Sequence, residues 1–476
     1  MIKLLFLKLA LTLLTSVNCQ QISDKTPETQ PPFSVKICTD ASKCEVVNGT
    51  VTLDANWRWL HDKDGKNCYT GNKWDTTLCP DGDTCAANCA LDGADYKGTY
   101  GITSTGDALT LRFVTHGPYS VNVGSRLYFL NGKNYQMFKL KNKQFTFTVD
   151  VSKLGCGLNG ALYFSAMEED GGMKKYPTNK AGAVRGTGYC DAQCPQDIKF
   201  IGGRANSEKW VPSETDPNTG TGLMGCCCPE MDIWEANKIS QAFTPHSCSV
   251  KEPTVCTGDK CGAAPDARYK GLCDKDGCDF ASYRWGAKEF YGPKKTVDTD
   301  KPLTVITQFI TSDNTDTGEL VEIRRIYEQD GKTIQNEPVK FPGLPKPADS
   351  LTQPFCDATK KFTGDTNDFA KHGGLKSMGD AMDKGMVLVM SLWDDQMAEM
   401  KWLDSNYPTD KPKDAPGVAR GTCDADEGKP SIVRQKQPDA TVVFSNVSLG
   451  PITSKQGSSS STANPTSPKV KCRKRK

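Results

Sequence analysis

Short runs in which apolar or β-branched residues alternate with polar ones recur along most of this chain, and they constrain its fold more than anything else. Examples are ALTLRFVT (108–115), QFTFTVDVS (144–152), ALYFSAM (161–167), LTVITQFI (303–310), LVEIRRIYE (320–328), MVLVMSLW (386–393) and ATVVFSNVSL (440–449). A period of two fits strands with one face buried. Gly, Pro, Asn and Asp cluster between the runs, as turns require. No long amphipathic helix stands out, and only QDIKFIGG (196–203) and DDQMAEMKWLD (394–404) are helix candidates. Many strands with few helices predict an all-β sandwich or barrel. The runs follow one another without a linker-like break, which predicts one domain. The long stretches 168–230 and 244–302 read as functional loops.

The ends differ in character. Residues 2–18 are a lysine-containing apolar run closing on small and polar residues, a secretory signal peptide with cleavage expected near Cys19. No later run has the length to cross a bilayer. The expected organisation is a leader over 1–19, a folded domain over 20–452, and a Ser-rich, then basic, disordered tail over 453–476. A net charge of +2 gives no reason to expect nucleic acid or an anionic membrane as partner. Of 21 cysteines, 20 follow Cys19; in a secreted, extracellular chain these predict disulfides. Cys190-x-x-x-Cys194 and Cys256-x-x-x-x-Cys261 have the look of zinc half-sites, but none of the four histidines lies near them. Asn48-Gly-Thr50 and Asn446-Val-Ser448 are N-glycosylation sequons.

CCCPEMDIWEAN (226–237) concentrates the chemistry. As a flat strand it places Glu230, Asp232 and Trp234 on one face and Met231 and Ile233 on the other. One reading is a solvated edge strand protected by charge. The other is glycoside hydrolysis, in which two carboxyl groups about 5–5.5 Å apart act as nucleophile and acid/base, and a third tunes them. Glu235 has the wrong parity for that role and lies about 16 Å along a flat strand from Glu230. The pair can meet only if the strand bends or bulges or the side chains lean together. Eight tryptophans are present; Trp57 and Trp59 in DANWRW, and Trp393 and Trp402 around DDQMAEMK, suit stacking on sugar faces.

DANWRW (54–59), LCPDGDTCAANC (78–89), GLNGALYF (157–164), GTGYCDAQCP (186–195), EMDIWEAN (230–237), TPHSC (244–248), VLVMSLWDD (387–395) and WLDSNYP (402–408) occur in this order. With them the sequence resembles the family-7 glycoside hydrolases over about residues 27–450, and among those the cellobiohydrolases. The resemblance implies a concanavalin-like β-jelly-roll sandwich whose concave sheet carries a groove roofed by loops into a tunnel. It implies retaining hydrolysis of β-1,4-glucan, with cellobiose released mainly from reducing ends. Cellulose and cello-oligosaccharides would be the partners of a monomer that needs neither metal nor cofactor. Glu230 would be the nucleophile, Glu235 the acid/base, and Asp232 would position Glu230. His246 would sit close to the acid/base, and Gln193 would help hold the nucleophile. Asn159 and Tyr163 would line sugar sites near the cleavage point. Trp57, Trp59 and Trp393 would stack glucosyl units upstream, and Trp402 on the product side. Arg268, Asp276, Tyr407 and Arg420 would bind product. An endoglucanase of the family and a non-catalytic glucan-binding lectin are the alternatives. The undiminished loops argue against the first and the retained acids against the second.

The same resemblance implies the bridges Cys38–Cys44, Cys68–Cys89, Cys79–Cys85, Cys156–Cys423, Cys190–Cys228, Cys194–Cys227, Cys248–Cys273, Cys256–Cys261 and Cys278–Cys356. Cys226 and Cys472 are left over. Three departures from the family pattern stand out. A bridge that many relatives form near the N-terminus is missing, with Ala90 in place of one cysteine. Ala264 and Met397 occupy positions where relatives place tyrosines from opposing loops, which implies a looser roof. No cellulose-binding module follows the tail.

Overall fold

The strands that build the sheets are β1 (Pro32–Cys38), β2 (Cys44–Leu53), β3 (Ala108–Arg112), β4 (Ser125–Asn131), β5 (Lys143–Asp150), β6 (Leu158–Ser165), β7 (Glu230–Ala236), β8 (Gln241–His246), β9 (Leu303–Thr311), β10 (Leu320–Gln329), β11 (Met386–Asp394) and β12 (Thr441–Pro451). The computed structural model describes residues 20–453 apart from 41, 342, 343, 345 and 347. The expected leader, and the tail from residue 454 on with Cys472, lie outside the described residues.

One antiparallel sheet runs β1–β2–β4–β11–β6–β7–β8. A second runs β3–β12–β5–β9–β10. β1 also pairs in parallel with β12 through Lys36 and Ile37, so the two sheets are hydrogen-bonded along one edge. They face each other across a core in which Phe145 meets Phe164 at 5.0 Å and Phe147 meets Trp234 at 6.1 Å between ring centres. This is the mostly-β sandwich that the alternating runs and the family resemblance predict. Every residue of β6 is buried, as are the first seven of β11. Strands in a sheet with one free face alternate; burial on both faces means that something covers the outer one. The cover is the long loops: Tyr189 and Cys190 meet Tyr163 and Ser165 of β6 there.

Nine disulfides are formed: Cys38–Cys44, Cys68–Cys89, Cys79–Cys85, Cys156–Cys423, Cys190–Cys228, Cys194–Cys227, Cys248–Cys273, Cys256–Cys261 and Cys278–Cys356. Cys226 is a buried free thiol. Asn48 and Asn446 are both exposed.

The helix expectation needs correction. Residues 196–203 contain no helix but a short strand, Phe200–Ile201. In 394–404 only Lys401–Asp404 is helical. Two 11-residue helices were not foreseen, α1 (Gln353–Thr363) and α2 (Gly374–Lys384). For α1 the stop and start signals are local: the Thr352 hydroxyl caps the Phe355 N–H, and Gly364 closes the helix in the left-handed region. No helix among the described residues is long and apolar enough to cross a membrane.

Asp404, at the end of that short helix, joins the two central strands. Its Oδ2 accepts from the Gly157 N–H at 2.8 Å and from Asn237 Nδ2 at 2.7 Å, while its Oδ1 is buried without a partner. Burial pushes the carboxyl up to about 7. A carboxyl raised in the fold contributes stability that is complete below its unfolded value and is lost as pH rises through about 7. Asp404→Asn keeps the accepting oxygen and removes the titration. The stability of the variant relative to the wild type should rise between pH 5 and 8 by on the order of 2 kcal/mol. Thermal unfolding across that range measures it, and a difference independent of pH refutes the assignment.

Candidate active site

The strand that carries the acids is not flat. β7 pairs with β8 as Glu230 with His246 and Asp232 with Thr244, and then as Glu235 with Ala242. Three steps along β7 therefore match two along β8, which is a β-bulge. The other edge of β7 shows the same shift, with Met231 opposite Phe164 but Trp234 opposite Leu162. One extra residue inverts parity beyond it. Glu235 returns to the face of Glu230 and Asp232, and Trp234 turns away. The Trp234 indole has no exposed surface and packs against Phe147 at 6.1 Å and Tyr291 at 6.0 Å. This corrects the flat-strand expectation that Trp234 stands beside the acids: a large apolar ring is drawn into the core, and the bulge lets it go there.

Each acid is held. Glu230 Oε2 accepts the Ala192 N–H at 3.1 Å. Asp232 Oδ2 lies 3.1 Å from His246 Nε2, and His246 Nδ1 faces the Asp274 carbonyl at 2.9 Å. Glu235 Oε1 accepts from Asn159 Nδ2 at 3.0 Å, and Asn159 Oδ1 accepts the Ala236 N–H at 3.0 Å. A fourth acid, Asp191, is buried nearby and accepts from the Tyr189 hydroxyl at 2.6 Å.

Burial, then the charges of Asp232 and Asp191, hold Glu230 well above the usual carboxylate range. Burial and Asp232 do the same to Glu235, against the opposing pull of His246. Burial lowers the His246 imidazole, but the hydrogen bond and charge of Asp232 outweigh it and raise it to about 9. Asp232 acts on both glutamates, and Glu230 also feels the charge of Glu235, as the last of its named causes. Carboxyls raised in this way keep a proton at a pH where an ordinary carboxylate has lost it, which is what a proton donor needs.

The other expected residues take the following places. Asn159 is fully buried, so its amide holds Glu235 rather than lining a sugar site. Tyr163 is buried and shares a hydrogen bond with Tyr189 at 2.9 Å. Gln193 is exposed; its Nε2 donates to the Lys275 carbonyl at 2.9 Å, and the donor to the nucleophile candidate is the neighbouring Ala192 amide. Trp393 and Trp402 stack at 6.3 Å, and Trp393 pairs with Asn159 across β11 and β6. Trp57 ends a 3-10 turn and lies under Arg126, whereas Trp59 packs on His61 with the rings tilted and their centres 4.0 Å apart. Arg268 Nε donates to Asp276 Oδ1 at 2.9 Å. Arg420 lies over the Tyr407 ring at 6.0 Å and 3.9 Å from Asp279. Met397 is 92% exposed, and Ala264 is exposed too.

Sequence reasoning missed Asp191, Tyr189, the Ala192 amide and Asp279. A signal for the first and third was present: Cys190 and Cys194 bracket them and are tied to Cys228 and Cys227, just before the strand that carries the acids.

With this geometry in place, comparisons with known proteins agree closely. The model of glycosyl hydrolase family 7 matches residues 22–456. A family-7 cellobiohydrolase from Daphnia pulex is 52% identical, with a TM-score of 0.89 over 91% of this chain and 99% of that one. A cellobiohydrolase from Melanocarpus albomyces complexed with cellotetraose is 46% identical, with a TM-score of 0.86 over 91% and 98%. The endocellulase EGI of Humicola insolens is more distant, at 34% identity and a TM-score of 0.76 over 91% and 99%. Agreement over nearly the whole length, in sequence and in architecture, leaves one assignment: the chain belongs to glycosyl hydrolase family 7 and is a cellulase of that family.

Proposed function

We propose that the protein is a secreted cellobiohydrolase that cleaves β-1,4-glucosidic bonds of cellulose with retention of configuration and releases cellobiose mainly from reducing ends. The observation that supports this reading most is the bulge of β7, which returns Glu235 to the face of Glu230, where burial and Asp232 hold both carboxyls above the usual range. Glu235, in its neutral form, protonates the glycosidic oxygen while Glu230 attacks the anomeric carbon. Glu235 as carboxylate then takes a proton from the water that hydrolyses the glycosyl–enzyme bond. Asp232, beside His246, keeps the pair from losing both protons. The Trp393–Trp402 stack offers apolar faces to glucosyl rings near the cleavage point, and Trp57 and Trp59 do so upstream. Arg268 with Asp276, and Arg420 with Tyr407, offer polar groups for product.

The cellobiohydrolase neighbours at 46–52% identity support exo action over the endoglucanase alternative. The apolar leader over 2–18 and nine disulfides support secretion. Residues 20–452 act as the catalytic domain of a monomer, with exposed Asn48 and Asn446 open to glycosylation and no nucleic acid or membrane as partner.

Glu230→Gln should lower kcat on an aryl β-lactoside by about 10⁴-fold while cellobiose binding persists. Unchanged turnover in that variant removes the assignment. The pH dependence follows from the acid pair. Rate should fall as pH rises past the raised value of Glu235 and fall again where Glu230 takes up a proton. His246 stays charged to about 9, so an alkaline limb below that belongs to the carboxyl pair. A kcat/KM profile flat from pH 4 to 8 contradicts this. Met397 and Ala264 are both exposed and neither carries a ring, which supports a looser roof over the proposed groove. The ratio of soluble to insoluble reducing ends on crystalline cellulose should be lower than for a relative with tyrosines there; an equal ratio refutes the looser roof.

A further inference from the structure

Behind the acids, on β10, lies an arginine that the mechanism has not used. Arg325 has no exposed surface, and no carboxylate pairs with it among the described residues. Aromatic faces replace the counter-ion: its guanidinium lies 4.3 Å from the Phe243 ring centre, 5.7 Å from Tyr327 and 5.8 Å from Trp234. Its Nε donates at 3.2 Å to the hydroxyl of Thr307, its partner across β9 and β10. Its Nη2 donates to the carbonyl of Ile233.

Ile233 sits inside the register step between Asp232 and Glu235. Phe243, the β8 residue facing that step, has turned its own backbone to Phe280, giving its N–H at 3.2 Å and accepting at 3.0 Å. The Phe243 N–H is therefore not available to Ile233, and a buried carbonyl without a donor is costly. Arg325 supplies the donor and at the same time packs against Trp234, the ring that the bulge has turned inward. We propose that Arg325 is a positioning residue for Glu235: by occupying the Ile233 carbonyl and supporting Trp234, it holds β7 in the bulged register that turns Glu235 toward Glu230. A planar guanidinium can stack on rings and donate in its own plane, which an ammonium cannot. A carboxylate partner would have added a further acid behind a cluster that already repels itself.

This inference rests on Glu235 being the acid/base, and the test separates the two. Cellotetraose has a poor leaving group and needs the acid. A 2,4-dinitrophenyl β-lactoside does not, and added azide removes the need for the base: it attacks the anomeric carbon of the glycosyl–enzyme, the bond to Glu230 breaks, and Glu230 leaves as carboxylate without a proton transfer. Arg325→Met should lower kcat on cellotetraose by about 100-fold with KM little changed, and should displace the alkaline limb of the pH profile. On the dinitrophenyl substrate with azide it should lose no more than about threefold. Arg325→Lys, which restores a donor, should recover part of the loss. If the methionine variant does not fold, Arg325→Lys and Thr307→Val are read instead and should show the same substrate split at smaller size. Equal loss on both substrates, or no loss in any variant, overturns the proposal. Glu235→Gln is run alongside. If it lacks the split, the acid/base assignment itself fails. If it shows the split and the Arg325 and Thr307 variants do not, only the positioning role fails.

Discussion

One extra residue in one strand is the constraint on which the rest of the structure depends. Strand geometry gives successive side chains to opposite faces, so Glu230 and Glu235, five apart, cannot both face a substrate on a regular strand. The bulge between Asp232 and Glu235 removes that prohibition and has a second effect of equal weight. It sends Trp234 into the core beside Ile233, where both are fully buried. The side of β7 toward the second sheet becomes more apolar while the opposite side gathers Glu230, Asp232 and Glu235. The packing of Trp234 against Phe147 therefore favours the same register that the chemistry needs.

Gathering Asp191, Glu230, Asp232 and Glu235 in a place partly closed to water is unfavourable, and the surrounding structure shows how the cost is met. His246 is held charged beside Asp232, the Ala192 N–H points at Glu230, and the Asn159 amide at Glu235. These groups must stay put, because a donor displaced by an ångström no longer offsets the charge. The bridges Cys190–Cys228 and Cys194–Cys227 clamp both ends of the Asp191–Gln193 turn to the residues that lead into β7. A disulfide's usual account is loop entropy. Here these two also fix the amide that holds the nucleophile candidate.

Much of this was legible in advance, and what was not has physical reasons. The strand-like runs mark β3, β5, β9, β10 and β12, where one face more buried than the other favours a period of two, and β6 and β11, which are buried on both faces and read as nearly continuous apolar runs. α1 and α2 escaped because their apolar residues are sparse; the capping signals of α1, Thr352 and Gly364, are single residues in a polar stretch, and α2 has no side-chain cap. Trp234 was placed on the wrong face because no residue type announces a bulge; it exists only in the pairing with β6 and β8. Asn159 reads as a polar residue near sugar, yet it faces Glu235 across a strand boundary that only the fold defines. Arg325 stands in LVEIRRIYE like any polar residue on an exposed strand face, and nothing local says that its partners are aromatic rings and a backbone carbonyl.

The proposed product end shows a different balance from the catalytic floor. Asp276 is already satisfied, with Arg268 on one oxygen and the Tyr269 hydroxyl at 3.0 Å on the other. A sugar hydroxyl arriving there competes with bonds that exist. Arg420 is the opposite case. It is buried, reaches the Trp402 carbonyl only at 3.4 Å and Asp279 at 3.9 Å, and its Nε has no partner among the described residues. Its long contacts leave the guanidinium charge only partly offset. In the proposed reading, the Arg268–Asp276 pair is the more open of the two and exchanges bonds with a sugar, while Arg420, buried beside Trp402, acts through its charge and by supporting the ring that a glucosyl unit would meet.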